Sequence, residues 1–179
     1  MAEARPGLGW AWYGLFVGLG LGSIFLRIVP LPQMSGQLPG PDLLMCLSCL
    51  WVLRRPDLLP AALIVGVVLL EDILLMRPPG LWAAIMLVGT EFLRRRAALS
   101  RELTLLSEWM LVALVMLAMV MAHRMVNVLA MLPQPPLGLS LVQFGASVLA
   151  WPLLVGVMRV VFGLRKPATG EVDAFGRRV

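Results

Sequence analysis

Apolar runs punctuated by prolines and arginines dominate the chain and divide it into six segments. The first is Trp10–Val29, closed by Pro30 and Pro32. The second starts after Pro41-Asp42 and runs to Leu53, where Arg54-Arg55-Pro56 stops it. The third is Leu58–Met76, ended by Arg77-Pro78-Pro79-Gly80. The fourth is Leu81–Leu93, ended by Arg94-Arg95-Arg96. The fifth is roughly Glu108–Leu132, before Pro133-Gln134-Pro135-Pro136, and the sixth is Leu137–Leu164, before Arg165-Lys166-Pro167. A helix needs ~20 mostly apolar residues to cross ~30 Å of hydrocarbon. Four segments meet that length. The second and fourth are short, since thirteen residues at ~1.5 Å each cover only about 20 Å. Snorkelling arginines extend such spans; a re-entrant segment covered by protein is the other solution.

The basic residues favour six crossings. Arg54 and Arg55 follow the second segment, Arg94, Arg95, Arg96 and Arg101 the fourth, and Arg165, Lys166, Arg177 and Arg178 the sixth, with Arg5 before the first. The other loops hold few: Arg27, Arg77, and none between Leu132 and Leu137. Cytoplasmic loops carry the Lys/Arg excess, so both termini are expected in the cytoplasm. The first segment reads as a retained span rather than a cleaved signal.

Composition agrees. Sixty per cent of the 179 residues are hydrophobic and 14% are charged. Soluble domains run at about 45–50% and 25%. A soluble domain of this size could not hide so much apolar surface. The expected class is therefore an all-α integral membrane protein with one six-helix transmembrane domain over 1–164 and a cytoplasmic tail over 165–179. The net charge of +5 then reflects topology and contact with membrane lipid, not nucleic acid.

Gly14, Gly18 and Gly22 stack on one face of the first segment as a doubled GxxxG, a helix-packing face for another helix of this chain or of a partner. Ala62 and Gly66 repeat the spacing on the third. Pro152 should kink the sixth helix and free a carbonyl that a neighbour must satisfy. Glu71 and Asp72 lie near membrane depth about 100° apart, so one is expected to face inward and one the headgroups. Glu91 is placed to pair with Arg94 or Arg95, and His123 and Asn127 share a helix face. Cys46 and Cys49 form a C-x-x-C inside an apolar run, where thiolates are disfavoured, and read as packed small residues. Ser147 and His123 could supply an intramembrane protease, but the surrounding G-x-S-x pattern reads as absent; nor is there a paired aspartate motif for phosphoryl transfer, a phosphate loop or a metal-ligand set. The expectation is a protein without catalysis, cofactor or metal.

A series of short motifs carries a resemblance. Pro41-Asp42-Leu43-Leu44 is followed by Trp51-Val52-Leu53-Arg54-Arg55-Pro56-Asp57, by Gly66 and apolar residues to Asp72, and by Pro78-Pro79-Gly80-Leu81-Trp82. Thr90-Glu91-Phe92-Leu93-Arg94-Arg95-Arg96, Ser100-Arg101-Glu102-Leu103, Pro133-Gln134-Pro135 and Phe162-Gly163-Leu164-Arg165-Lys166-Pro167 continue it. In this order the motifs resemble the MreD family, the small polytopic subunit of the bacterial rod-shape machinery, over about residues 41–167. The resemblance implies a noncatalytic scaffold of the inner (cytoplasmic) membrane. It would bind MreC and connect MreB filaments with the peptidoglycan synthase pair, RodA and penicillin-binding protein 2. It also implies a fold similar to the six-helix S-components of vitamin transporters, whose small-molecule binding is the alternative function. The motif positions Pro41, Asp42, Arg54, Arg55, Pro56, Asp57, Gly66, Asp72, Pro79 and Gly80 become candidate partner-binding or structural residues, with the Arg55–Asp72–Gly80 region as one docking surface. The family often has Gly-Leu-Leu-x-Asp before Pro-Leu-Gly-Leu. Here the interval from Gly66 is longer and Glu71 is added, so its acidic position falls on Asp72 or Glu71; Asp72 is chosen.

Overall fold

The computed structural model describes residues 7–29, 39–100 and 104–161, with side chains described from 10 and up to 97 in the first two stretches. Expectations for Arg101, for the tail over 165–179 and for most of the first loop lie outside these residues. The described chain is all helical: α1 (Gly7–Ile28), α2 (Leu43–Arg54), a 3-10 turn (Pro56–Leu58), α3 (Ala61–Leu74), α4 (Leu81–Ser100), α5 (Leu105–Leu129) and α6 (Leu137–Val161).

Three helices, α1, α5 and α6, are long and apolar enough to cross a membrane. α2 is short, as expected. The lengths of the third and fourth differ from the sequence expectation. α4 continues through Arg94-Arg95-Arg96 to twenty residues, while α3 has only fourteen. Arginine has good helix propensity, so a charge triplet ends an apolar run without ending a helix. Pro56 and Pro60 instead trim α3 at its start: Pro56 opens the 3-10 turn and Pro60 is the N-cap.

α2 is the core of the molecule. Every residue from Leu44 to Arg54 is buried. The remaining helices form an arc in the order α1, α3, α4, α5, α6, and α2 lies inside it against α1, α4 and α6. Trp51 of α2 takes Phe16 and Trp12 of α1 edge-on, with ring centroids 5.5 and 6.0 Å away, the favoured geometry for aromatic pairs. Each outer helix buries one stripe; on α6 it is Ser147, Trp151, Val155 and Met158. The opposite faces are apolar and bare: Leu153 is 72%, Val88 71% and Leu114 64% exposed. A belt of exposed large apolar residues on helices of this length belongs in lipid.

Two details show how backbone groups are satisfied. Pro152 frees the carbonyl one turn back, that of Val148, and the indole N–H of Trp109 on α5 donates to it at 2.8 Å. The expected neighbour exists, and it is a tryptophan. α3 and α5 both end with a methionine in the left-handed region, Met76 (φ 51°) and Met131 (φ 53°). The next amides, Arg77 N–H and Leu132 N–H, reach back to Asp72 O and Asn127 O at 2.9 Å. This is the Schellman ending, with Met where Gly is usual.

Candidate functional site

The helices alternate in direction, so the end of α1, the start of α2, the end of α3, the start of α4, the end of α5 and the start of α6 gather at one end of the bundle. Arg54, Arg55 and Arg94–Arg96 lie at the other, the basic end.

At the first end a buried charge clamp joins three helices. Arg27, in the last turn of α1, pairs with Asp42 Oδ2 at 3.0 Å and with Glu71 Oε1 of α3. Asp42 also caps α2, accepting from Met45 N–H at 3.1 Å, and its own N–H donates to Ser147 Oγ of α6 at 2.8 Å. Asp42 thus ties α1, α2 and α6 together, and through Arg27 also α3. Buried carboxylates at this depth require such partners.

Asp72 does something different. It is fully buried, and its Oδ2 accepts from the backbone N–H groups of Gly80 at 3.1 Å and Ala83 at 3.3 Å. It closes the turn between α3 and α4 and satisfies amides at the N-terminus of α4. Gly80 has φ 88°, a conformation that a side chain would strain. Both acidic residues therefore face inward, correcting the expectation that one faces the headgroups. They still act separately: Glu71 holds an arginine and Asp72 holds backbone.

Next to the clamp lies a cavity of about 550 Å³, with walls from the start of α2, the α3–α4 turn, α5, the α5–α6 turn and α6. Its rim includes the exposed Met76, Pro133 and Pro135. His123, Arg124, Asn127 and Gln143 all line it, together with Arg77 and Trp82. Trp82 meets the His123 ring edge-on at 5.2 Å, and Asn127 Nδ2 lies 3.3 Å from His123 Nε2. Arg124 donates to Ser140 Oγ at 2.7 Å and to Pro135 O at 3.1 Å, pinning the start of α6 to α5. Three buried polar atoms on this wall have no hydrogen-bond partner: Trp82 Nε1, Asn127 Oδ1 and Gln134 Oε1.

Ser147 and His123 both border this cavity. Ser147 does follow Gly145-Ala146, the glycine-x-serine spacing of intramembrane serine proteases, correcting the expectation that it is absent, so sequence alone does not dismiss it. Its hydroxyl donates to Gln143 O at 2.8 Å and accepts from Asp42 N–H, and it makes no hydrogen bond to His123. A nucleophile and its base need that bond. Among the described residues no three metal-ligating side chains gather. Cys46 and Cys49 are buried and unbridged.

At the basic end Arg54 pairs with the buried Glu108 of α5 at 3.3 Å. Arg94 takes Glu91 at 2.8 Å, as expected, and donates to Pro56 O and to Leu59 O at 2.7 Å. It straps down the Arg55–Pro60 turn.

The motif residues thus fall into two groups. Asp42, Asp72, Gly80 and the neighbouring Pro41 and Pro79 lie at the cavity end; Arg54, Arg55, Pro56 and Asp57 lie at the basic end. α3 separates them by about 21 Å at 1.5 Å per residue, so Arg55, Asp72 and Gly80 do not form one surface. Gly66 is exposed, and a Cβ there would meet nothing within 4 Å. Gly14, Gly18 and Gly22 likewise face outward with open space beside them, so among the described residues the stripe packs on no other helix. On α1 the glycine that does pack is Gly20, where a Cβ would sit 2.9 Å from Val67 and 3.4 Å from Leu44. Sequence reasoning missed Gly20, the role of Arg27, and the gathering of Trp82, Gln134 and Ser147. Arg27 did leave a signal, being a lone charge inside an apolar run.

The fold and its apolar belt define a helical membrane protein with a polar cavity at one end of the bundle. No protein-family model, curated protein or solved structure matches the chain.

Proposed function

We propose that the chain is a noncatalytic membrane scaffold of the MreD type. Its six helices cross the inner membrane, with the termini and the basic end in the cytoplasm and the cavity on the opposite side. The observation that carries this reading is the cavity itself. Arg27, Asp42, Glu71, Asp72 and Arg124 are engaged in holding helices and turns together, while Trp82 Nε1, Asn127 Oδ1 and Gln134 Oε1 on the wall stay unpaired. A polypeptide supplies both N–H and C=O groups to such a wall, and a side-chain amide such as Asn127 is a natural partner for backbone. The occupant is a segment of a partner chain, and the motif series described above makes that partner MreC. Through MreC the protein connects MreB with RodA and penicillin-binding protein 2.

The test is to solubilise the tagged protein from its native membrane in mild detergent and identify what co-purifies by mass spectrometry. Recovery of MreC supports the scaffold, and loss of MreC from an Asn127→Leu variant that still folds places it at the cavity. Recovery of an ATPase pair and a coupling subunit without MreC overturns it. That outcome favours the second reading, a small-molecule-binding subunit of a transporter, which the convergence of His123, Arg124, Asn127 and Gln143 supports. Labelling of Ser147 by a fluorophosphonate would overturn both.

A further inference from the structure

A second hollow lies on the outer surface, between α4 and α5 and away from the polar cavity. It measures about 580 Å³ and its lining is apolar: Ala84, Val88 and Phe92 on α4, Leu114 and Ala118 on α5, and Gly89 at its side. Small residues shape the hollow: Ala84 and Ala118 leave room that larger side chains would fill, and Gly89 lets the Met119 side chain pack directly on α4 at its side. From Ala84 to Phe92 it runs about 12 Å along α4.

The same face of α4 continues into charge. Residues 84, 88, 92 and 96 repeat every four positions, and 88, 92 and 95 follow the helical i, i+4, i+7 pattern, so Arg95 and Arg96 lie directly below the groove. Both are exposed, and neither meets a carboxylate within 4 Å among the described residues. Arg96 is held over the Phe92 ring, its guanidinium carbon 4.6 Å from the centroid. Stacking occupies the face of a guanidinium and leaves its in-plane N–H donors free. Those donors suit phosphate.

We propose that this groove binds one anionic phospholipid, with an acyl chain between α4 and α5 and the headgroup phosphate on Arg95 and Arg96. An apolar slot that takes part of an acyl chain and ends at two arginines without carboxylate partners, one of them held on the Phe92 ring, is complementary to that one class of molecule. The arginine cluster thereby gains a role beyond orienting the chain: it selects the lipid that fills a gap in the outer wall. The proposal requires the membrane reading of the fold and is independent of which partner occupies the polar cavity.

The experiment is native mass spectrometry of the full chain in detergent with equimolar dioleoylphosphatidylglycerol and dioleoylphosphatidylcholine. The expected result is one retained lipid with at least about fivefold preference for phosphatidylglycerol, the effect of roughly one basic residue at a membrane surface. Arg95→Gln/Arg96→Gln should bring the preference to near one. Arg55→Gln, a basic-end arginine off this groove, should leave it unchanged. Ala118→Trp, which fills the groove from an exposed position, should lose the retained lipid altogether. Equal retention of both lipids, a preference that survives the double substitution, an equal loss in Arg55→Gln, or undiminished retention in Ala118→Trp would each overturn the proposal.

Discussion

Arg27 shows how much a single residue can hold. Removing its charge leaves Asp42 and Glu71 facing each other without a cation, in a place water does not reach freely. Breaking a buried pair on one side costs about 3–5 kcal/mol. Arg27→Gln should therefore lower the thermal midpoint in detergent strongly, and Arg27→Gln/Glu71→Gln should recover part of the loss. A single variant as stable as the parent would show that the clamp contributes nothing. Asp72 makes a smaller but specific contribution through two backbone amides. Asp72→Leu should destabilise by about 1–2 kcal/mol and reduce abundance in the membrane. Glu91→Gln, which breaks only a part-exposed i,i+3 pair, should stay within about 0.5 kcal/mol. Equal effects on abundance and thermal midpoint would refute that ranking. Met131 is nearly fully exposed and left-handed, so Met131→Gly should stabilise by roughly 1 kcal/mol, read from the same melting curves.

Helices reveal where sequence reasoning reaches its limit. The prolines and arginines marked all six elements, yet the expected lengths of α3 and α4 were exchanged. A hydropathy window sees where apolar residues stop, whereas a helix stops where backbone hydrogen bonds stop; the triplet Arg94-Arg95-Arg96 separates the two. The glycine stripe on α1 was legible as a face but not as a direction. Gly18→Leu should leave the thermal midpoint unchanged or slightly raised, since it meets nothing and Leu has the better propensity. Gly20→Leu should destabilise by about 1–3 kcal/mol through overpacking against Val67 and lower the midpoint accordingly. Matching shifts for the two would mean that α1 packs by its other side. The carbonyl freed by Pro152 was foreseen, but its donor was not, because Trp109 and Val148 lie on different helices and share no motif. Trp109→Phe should cost about 0.6–2 kcal/mol, and Pro152→Ala in the same background should restore stability by closing the helix ladder.

For the whole molecule, the membrane class followed from composition and the cavity did not. Asp42, Arg77, Trp82, His123 and Gln143 come from different helices and turns, and each alone is an ordinary polar residue in an apolar chain. What the sequence held was part of the inventory: His123 and Asn127 share one helix face of a largely apolar segment. The fold supplied the convergence, by alternating helix directions so that their ends meet at one level.

That α2 is sheathed on all its length has a bearing on how the protein is made. Twelve residues cover about 18 Å, and a polar residue sits at each end of the helix. A nascent α2 leaving the ribosome is too short and too charged at its tips to settle in lipid by itself. Arg54 meets its counterion only when Glu108 has been synthesised, more than fifty residues later. Insertion must therefore be deferred: the insertion machinery, or α1, shelters α2 until α4 and α5 arrive to enclose it. Chains stalled after residue 100 should leave α2 extractable or open to protease, and chains stalled after α5 should protect it.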